Sequence, residues 1–138
     1  MAAFFNFEVH TPYRLFFSAQ VEAIVLTLAD GEIGVYANHA PFTSPTLSCV
    51  LRIKNSQGEW RSAFVTDGIL EVKDSKFKNV LMVDTAQWPE EIDREQAQLD
   101  KEQAEESLKS AVLKFEVDNA KAKLRYAEFK LKACEMKA

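Results

Sequence analysis

Every glycine and every proline in this 138-residue chain falls within its first 89 residues. The remainder, residues 90–138, is dominated by Ala, Glu, Lys, Gln and Leu. Gly and Pro interrupt regular structure, whereas those five residue types carry high helix propensity. The body of the chain therefore turns often, and the tail contains nothing that breaks a helix. The border is Trp88-Pro89. Proline at a first helical position, followed by Glu90, Glu91 and Asp93, predicts a helix start with acids against the positive end of its dipole. The expected division is a unit over residues 1–88 and a second over residues 89–138.

In the body, apolar residues alternate with polar ones or form short runs between turn signals. Phe5, Phe7 and Val9 alternate with Asn6 and Glu8, the period of two of a half-buried strand. Residues 21–28 make a longer run suited to burial on one or both faces. Residues 47–54 and 60–65 flank Asn55-Ser56-Gln57-Gly58-Glu59, a hairpin signal with a glycine in its loop. Residues 69–73 and 80–84 flank the loop at 74–78, and Asp67-Gly68 marks another turn. Many short strands at intervals of about ten residues predict an antiparallel sandwich or barrel.

The tail does not read as one long helix. Leu113, Val117, Ala120, Leu124, Ala127, Leu131 and Cys134 recur at spacings of four and three, a seam along one helical face. Phe115, Ala122, Tyr126, Phe129, Ala133 and Met136 lie roughly opposite, so this helix has two faces to bury. The preceding segment carries a thinner stripe, Ala97, Ala104, Leu108 and Ala111, whose small residues suit a close helix–helix approach. The simplest solution is an antiparallel hairpin turning within residues 110–116, with the sandwich or another chain against the second face. Charge agrees with two antiparallel helices as well as with one dipole-matched helix. Residues 90–106 hold eight acids and two bases, and residues 107–138 hold eight bases and four acids. The expected fold class is α+β, a β-sandwich followed by a two-helix hairpin.

Several function classes fall away. No apolar run approaches the roughly 20 residues of a membrane-spanning helix. Met1-Ala2-Ala3-Phe4-Phe5 reads as neither a signal nor a transit peptide. A net charge of −4 gives no reason to expect nucleic acid or an anionic bilayer as the main partner. Cys49 and Cys134 sit in unrelated contexts and read as reduced thiols. His10 and His39 are the only imidazoles. Ser44 and Ser48 follow His39 without a nucleophile-elbow pattern, so catalysis there is not expected. Asp30, Glu32 and His39 read as a solvated loop, not a metal site. No glycine-rich phosphate cradle with a following Lys-Ser/Thr is present, so the chain is no P-loop ATPase by itself.

What remains is surface, and one segment stands out: Asp30-Gly31-Glu32-Ile33-Gly34-Val35-Tyr36-Ala37-Asn38-His39-Ala40-Pro41. Gly31 suits a turn needing positive φ, and Gly34 within a strand pattern suggests a bulge or a close backbone approach. With Val21-Glu22-Ala23-Ile24-Val25-Leu26 before it, and Asp67-Gly68-Ile69-Leu70-Glu71-Val72 and Asp84-Thr85-Ala86 after it, this segment closely resembles the epsilon subunit of the rotary, F-type ATP synthase. The resemblance covers essentially the whole chain, and its specificity lies in the order and spacing of the motifs.

The resemblance implies a non-catalytic rotor subunit of the central stalk, coupling rotation of the proton-driven c-ring to ATP synthesis through gamma. It implies partner contacts to the c-ring and gamma at Gly31, Glu32, Gly34, His39 and Pro41. It further implies that the hairpin, in bacterial members, docks its basic face onto acidic segments of the catalytic head and inhibits ATP hydrolysis. In this chain that face comprises Lys114, Lys121, Lys123, Arg125, Lys130 and Lys132, with Lys137 beyond. The implied location is the cytoplasmic face of the bacterial inner membrane, held there through the complex. Some members bind ATP through an Ile/Leu-Asp-x-x-Arg-Ala motif and further arginines. Here the motif reads Ile92-Asp93-Arg94-Glu95-Gln96-Ala97, and Gln103, Tyr126 and Lys130 stand where further arginines belong. Losing those guanidinium forks removes bidentate phosphate contacts, so no ATP, other cofactor or metal is expected unless Arg94 and Arg125 point inward.

Two other readings compete. One is a stand-alone adaptor or chaperone-like module, with the sandwich as body and the helices as arm. The other is a small hydrolase using His39. Co-purification with gamma and the catalytic head separates the first from a rotor subunit, and His39→Ala tests the second.

Overall fold

The computed structural model describes residues 3–73 and 78–136. Its longest strand, β2 (Leu15–Leu28), belongs to both layers of a sandwich. The first half of β2 pairs with β1 (Phe5–His10), and the second half lies between β3 (Gly31–Tyr36) and β5 (Cys49–Asn55). One layer continues through β4 (Phe42–Thr46), β7 (Gly68–Val72) and β8 (Lys78–Val83) back to β1. The other continues from β5 through β6 (Trp60–Val65) to the short β9 (Ala86–Gln87). Pairing is antiparallel throughout the described strands except between β1 and β8, which run parallel. The inner faces pack Phe7, Val9, Leu70 and Leu81 together with Ile24, Leu26, Val35, Leu51 and Ile53, all essentially without solvent exposure. Full burial of each such side chain contributes about 1.5–3 kcal/mol, so this layer-to-layer core is the main source of stability.

Several strands depart from what the residues alone suggest. β2 begins at Leu15, well ahead of residue 21, because its first half has β1 as an immediate partner. β4 was not expected at all, since Pro41 precedes it and Pro45 lies within it. It pairs along its length with β7 and touches β2 only at Thr46 opposite Leu28, and a strand with one side mostly open tolerates proline. Gly34 makes no bulge, for the β2–β3 register runs without a shift from Ala23–Tyr36 to Leu28–Gly31. The close approach at Gly34 comes from its own neighbour: the Tyr36 ring edge would lie 3.4 Å from a Cβ built there. Gly68 is the tightest position. A Cβ there would collide with the Met82 carbonyl oxygen and the Val83 side chain on β8. The expected turn at 74–78 lies largely outside the described residues.

The connector is also built differently from a simple helix start. Pro89–Glu91 forms a single 3-10 turn, and α1 (Arg94–Ser110) begins only after it, capped by Asp93 Oδ1 accepting from the Gln96 amide at 3.1 Å. The reason lies in what holds the connector to the sandwich. Glu91 accepts from the Trp88 amide at 3.0 Å and takes both carboxylate oxygens to Arg14 Nη2, at 2.9 and 2.7 Å. Those contacts keep its carboxyl below the usual range, the Trp88 amide contributing most. Trp88 stacks on Phe16 at 4.5 Å and carries the Arg61 guanidinium 3.6 Å above its ring centre. Ile92 then turns inward beside Phe64, and only beyond it does the chain leave the sheet.

α1 and α2 (Lys114–Glu135) form an antiparallel hairpin turning at residues 111–113, within the expected interval. Ala111 and Leu113 are in extended conformations with negative φ, so the turn needs no glycine. Ala97 and Ala104 face Ala120 and Ala127, all buried, and the small side chains let the helices close on one another. The opposite face of α2 supplies Tyr126, Phe129 and Ala133 to a second cluster with Phe64, Val50 and Ile92. Cys134, expected in the helix–helix seam, belongs instead to this second cluster, its Sγ 4.0 Å from the Pro89 carbonyl oxygen. Phe115 lies on the same side but remains exposed, as do Val112 and Leu113 at the turn.

Candidate functional site

The segment singled out in the sequence is an edge. Gly31 adopts φ +127° at the start of β3, a conformation that side chains rarely accept, and the strand then pairs with β2 along one side. Glu32, Gly34 and Tyr36 share its outer face and are exposed, while Val35 is buried on the inner face. The structure does not bring Glu32 and His39 together. Glu32 is the second residue of β3, whereas His39 follows a turn past its far end, where Asn38 has φ +65° and the His39 amide donates to the Tyr36 carbonyl. The His39 ring lies 5.2 Å from that of Phe42, and its Nδ1 is 2.8 Å from the Ala40 carbonyl oxygen. Pro41 leads directly into β4. Glu32 has a partner that the sequence did not suggest: Arg52 Nη2 donates to its Oε1 at 2.7 Å.

A second surface went unread in the sequence because no single strand contains it. Pro45 pairs with Ile69, Ile69 with Met82, Met82 with His10 and His10 with Leu15, so one row crosses β4, β7, β8, β1 and β2. Ile69 and Met82 are each 47% exposed and Leu15 is 53% exposed. A cleft of about 440 Å³ runs along this row, walled by His10, Pro12, Ile69, Met82, Asp67 and Asp84. Beside it on the same outer face, two residues before His10, sits Glu8, buried although charged. His10 Nε2 is 2.7 Å from Glu8 Oε1, and Ser18 Oγ and Lys78 Nζ each approach Oε2 at 3.3 Å. The His10 contact and the Lys78 charge hold the Glu8 carboxyl below its ordinary value against the opposing effect of burial. The row ends, at Pro45, beside Thr46 and its partner Leu28, which also pairs with Gly31. Glu32 and the apolar row therefore share one end of the sandwich.

On the hairpin, Lys114, Lys121, Lys123, Arg125 and Lys132 are exposed as expected. Lys130 departs from the solvated face: it is half-buried, with Nζ 5.5 Å from the centre of the Phe64 ring. Gln103, Tyr126 and Lys130 do come together, lining a groove of about 370 Å³ with Asp100, Ser107 and Lys123. Gln96 is outside it and donates to Asp100 Oδ1 at 2.9 Å. Arg94 and Arg125 are exposed and are not among the residues lining the groove, so no guanidinium replaces the missing forks. The groove thus offers two ammonium groups, from Lys123 and Lys130, beside the Asp100 carboxylate.

Nothing assembles for bond chemistry among the described residues. Ser44 Oγ donates to the Pro45 carbonyl, and Ser48 donates through both its amide and its Oγ to Asp67 Oδ1, so neither serine is poised on His39. Cys49 and Cys134 are unpaired, and burial pushes the Cys49 thiol up. Among the described residues no three metal-binding side chains converge, and no helix is long and apolar enough to cross a membrane.

Comparison with known proteins agrees with an assembly role. Residues 4–89 match the model for the β-sandwich domain of the ATP synthase delta/epsilon chain. The ATP synthase epsilon chain of Caldicellulosiruptor bescii is 44% identical over 131 residues, spanning 95% of this chain and 93% of the relative. That of Ruminiclostridium cellulolyticum is 42% identical over 133 residues, spanning 96% of each. In fold, the chain resembles one in the Euglena gracilis mitochondrial ATP synthase assembly of OSCP, F1 and c-ring, with a TM-score of 0.71 at 20% identity over 96% of this chain and 78% of that one. It also resembles one in the central stalk and c-ring of the Tetrahymena thermophila mitochondrial enzyme, with a TM-score of 0.62 at 16% identity over 94% of this chain and 96% of that one. On the extent and level of these matches, the chain belongs to the epsilon-chain family of ATP synthases.

Proposed function

We propose that this chain is a non-catalytic subunit of the central stalk of an F-type ATP synthase, gripping gamma and the c-ring with one end of its sandwich. The observation that carries this reading is the exposed row from Pro45 to Leu15, apolar except at His10, adjoining the end of β3 that displays Glu32. A contiguous apolar strip rimmed by charge is the usual mark of a protein–protein contact. In this reading the row packs on gamma, while Gly31, Glu32 and Gly34 meet the c-ring near one end of β3 and His39 and Pro41 extend the contact beyond the other. The subunit is peripheral, held at the cytoplasmic face of a bacterial membrane through the complex. The test is recovery of the full chain with the rest of the synthase. Met82→Glu, at an exposed position, is expected to leave the melting midpoint within a few degrees and to abolish co-purification with gamma and the head. Undiminished recovery would refute the reading, and recovery with unrelated clients would favour the adaptor.

The hairpin is proposed to be a regulatory arm. Its exposed basic residues, Lys114, Lys121, Lys123, Arg125 and Lys132, suit electrostatic docking onto acidic segments of the catalytic subunits, which steers association more than it stabilises it. The second cluster on which α2 rests fully buries few large side chains, Phe64 and Ile92 at about 2–3 kcal/mol each, so its attachment is weak beside the sandwich core. Removing the arm is expected to raise membrane ATP hydrolysis severalfold if it acts as a brake. The groove between the helices is proposed not to bind ATP, and isothermal titration of the isolated subunit showing micromolar affinity would refute that.

A further inference from the structure

We propose that Arg52 is a positioning residue for Glu32, fixing the carboxylate in the orientation in which the c-ring meets it. This rests on Glu32 being a contact residue, as proposed above. Glu32 has a side chain 62% exposed at the rim of the sandwich. A free glutamate there samples several rotamers, and freezing such a side chain on docking costs about 0.5–1.5 kcal/mol. Here the freezing is done in advance, with Arg52 Nη2 2.7 Å from Oε1. The guanidinium comes from across the sheet. Arg52 of β5 is level with Val25 of β2, and Val25 is level with Gly34 of β3, so the arginine passes over β2 on the outer face to reach Glu32. On its other side the guanidinium is bounded by the Trp60 ring of β6, whose centre is 5.9 Å away. Lys132 of α2 borders the same cleft of about 240 Å³ but makes no ion pair with Glu32.

Only Oε1 is engaged. Among the described residues Oε2 has no hydrogen-bond partner, so the pair leaves one oxygen of this exposed carboxylate for a donor on the partner. An exposed pair of this kind adds little to folding, and the effect belongs to binding.

The experiment is a titration of fluorescently labelled full-length chain onto ATP synthase stripped of this subunit. Glu32→Gln and Arg52→Gln are each expected to weaken binding about two- to fivefold, the range of a single exposed charge pair. The double variant is expected to bind no more weakly than Glu32→Gln alone, because the arginine acts through the glutamate. Arg52→Lys should restore part of the loss. Lys54→Gln removes a charge from the same face of β5, where Lys54 pairs with Glu22, and should leave binding unchanged. If Glu32→Gln binds normally, the contact reading itself fails. If Glu32→Gln is weakened but Arg52→Gln is not, or the two losses add, or Lys54→Gln matches Arg52→Gln, the positioning role is overturned while the contact stands.

Discussion

Glu8 sits on the outer face of the first layer, nearly covered, among His10, Ser18 and Lys78. Alternation along β1 assigned it to the solvent side, and the face was right. Its burial was not legible, because two of the covering groups arrive from β2 and β8, and pairing between distant strands leaves no trace in a local period. Its folded value lies below the ordinary one. The ionised form therefore stabilises the fold above the ordinary carboxylate value, and that contribution is lost as pH falls through the lowered folded value. Between about pH 5 and pH 3 the melting temperature is expected to drop, and to drop less steeply in Glu8→Gln. Scanning calorimetry across that interval checks it; parallel curves for the two proteins would mean that Glu8 does not carry the effect. Glu32 illustrates the same limit at the candidate site. Its exposure was readable from the turn before it, but Arg52 was not, since the two meet only across an intervening strand.

The two helices show what periodicity can and cannot locate. Alanine spacing gave the seam, and a change of pattern near residue 111 gave the turn, because both are local facts. Cys134 was misassigned for a geometric reason. A seven-residue repeat drifts about 20° per heptad against a straight helix, so over the three heptads from Leu113 to Cys134 the seam rotates by about 60°. That rotation carries Cys134 from α1 toward Pro89 and Phe64. β4 failed for the opposite reason: its prolines speak against a strand, and only the open side of that strand makes them acceptable. The closeness of the hairpin is itself testable. Ala104 is 3% exposed, so Ala104→Leu forces the helices apart and should destabilise the hairpin by about 1–3 kcal/mol. Hydrogen exchange is expected to speed up across α1 and α2 and to stay unchanged in β1, β2 and β5. Faster exchange in those strands as well would show that hairpin and sandwich unfold together.

For the molecule as a whole, the boundary that matters mechanically is Ile92 and not Trp88. Residues 89–92 are fastened to the sandwich by Arg14, Trp88 and the Phe64 cluster, and α1 begins beyond them. A chain ending at residue 92 is therefore expected to melt several degrees above one ending at residue 88, as followed by circular dichroism, although both lack the helices. Equal midpoints would mean that the fastening contributes nothing. The topology has one more consequence, for how the chain is made. β1 is synthesised first, yet its second neighbour β8 spans residues 78–83 and lies parallel to it. Until that stretch has left the ribosome, one edge of a strand bearing Phe5, Phe7 and Val9 has no mate. Nascent chains stalled short of residue 78 thus leave one edge of β1 unpaired, the kind of edge at which self-association is expected to start.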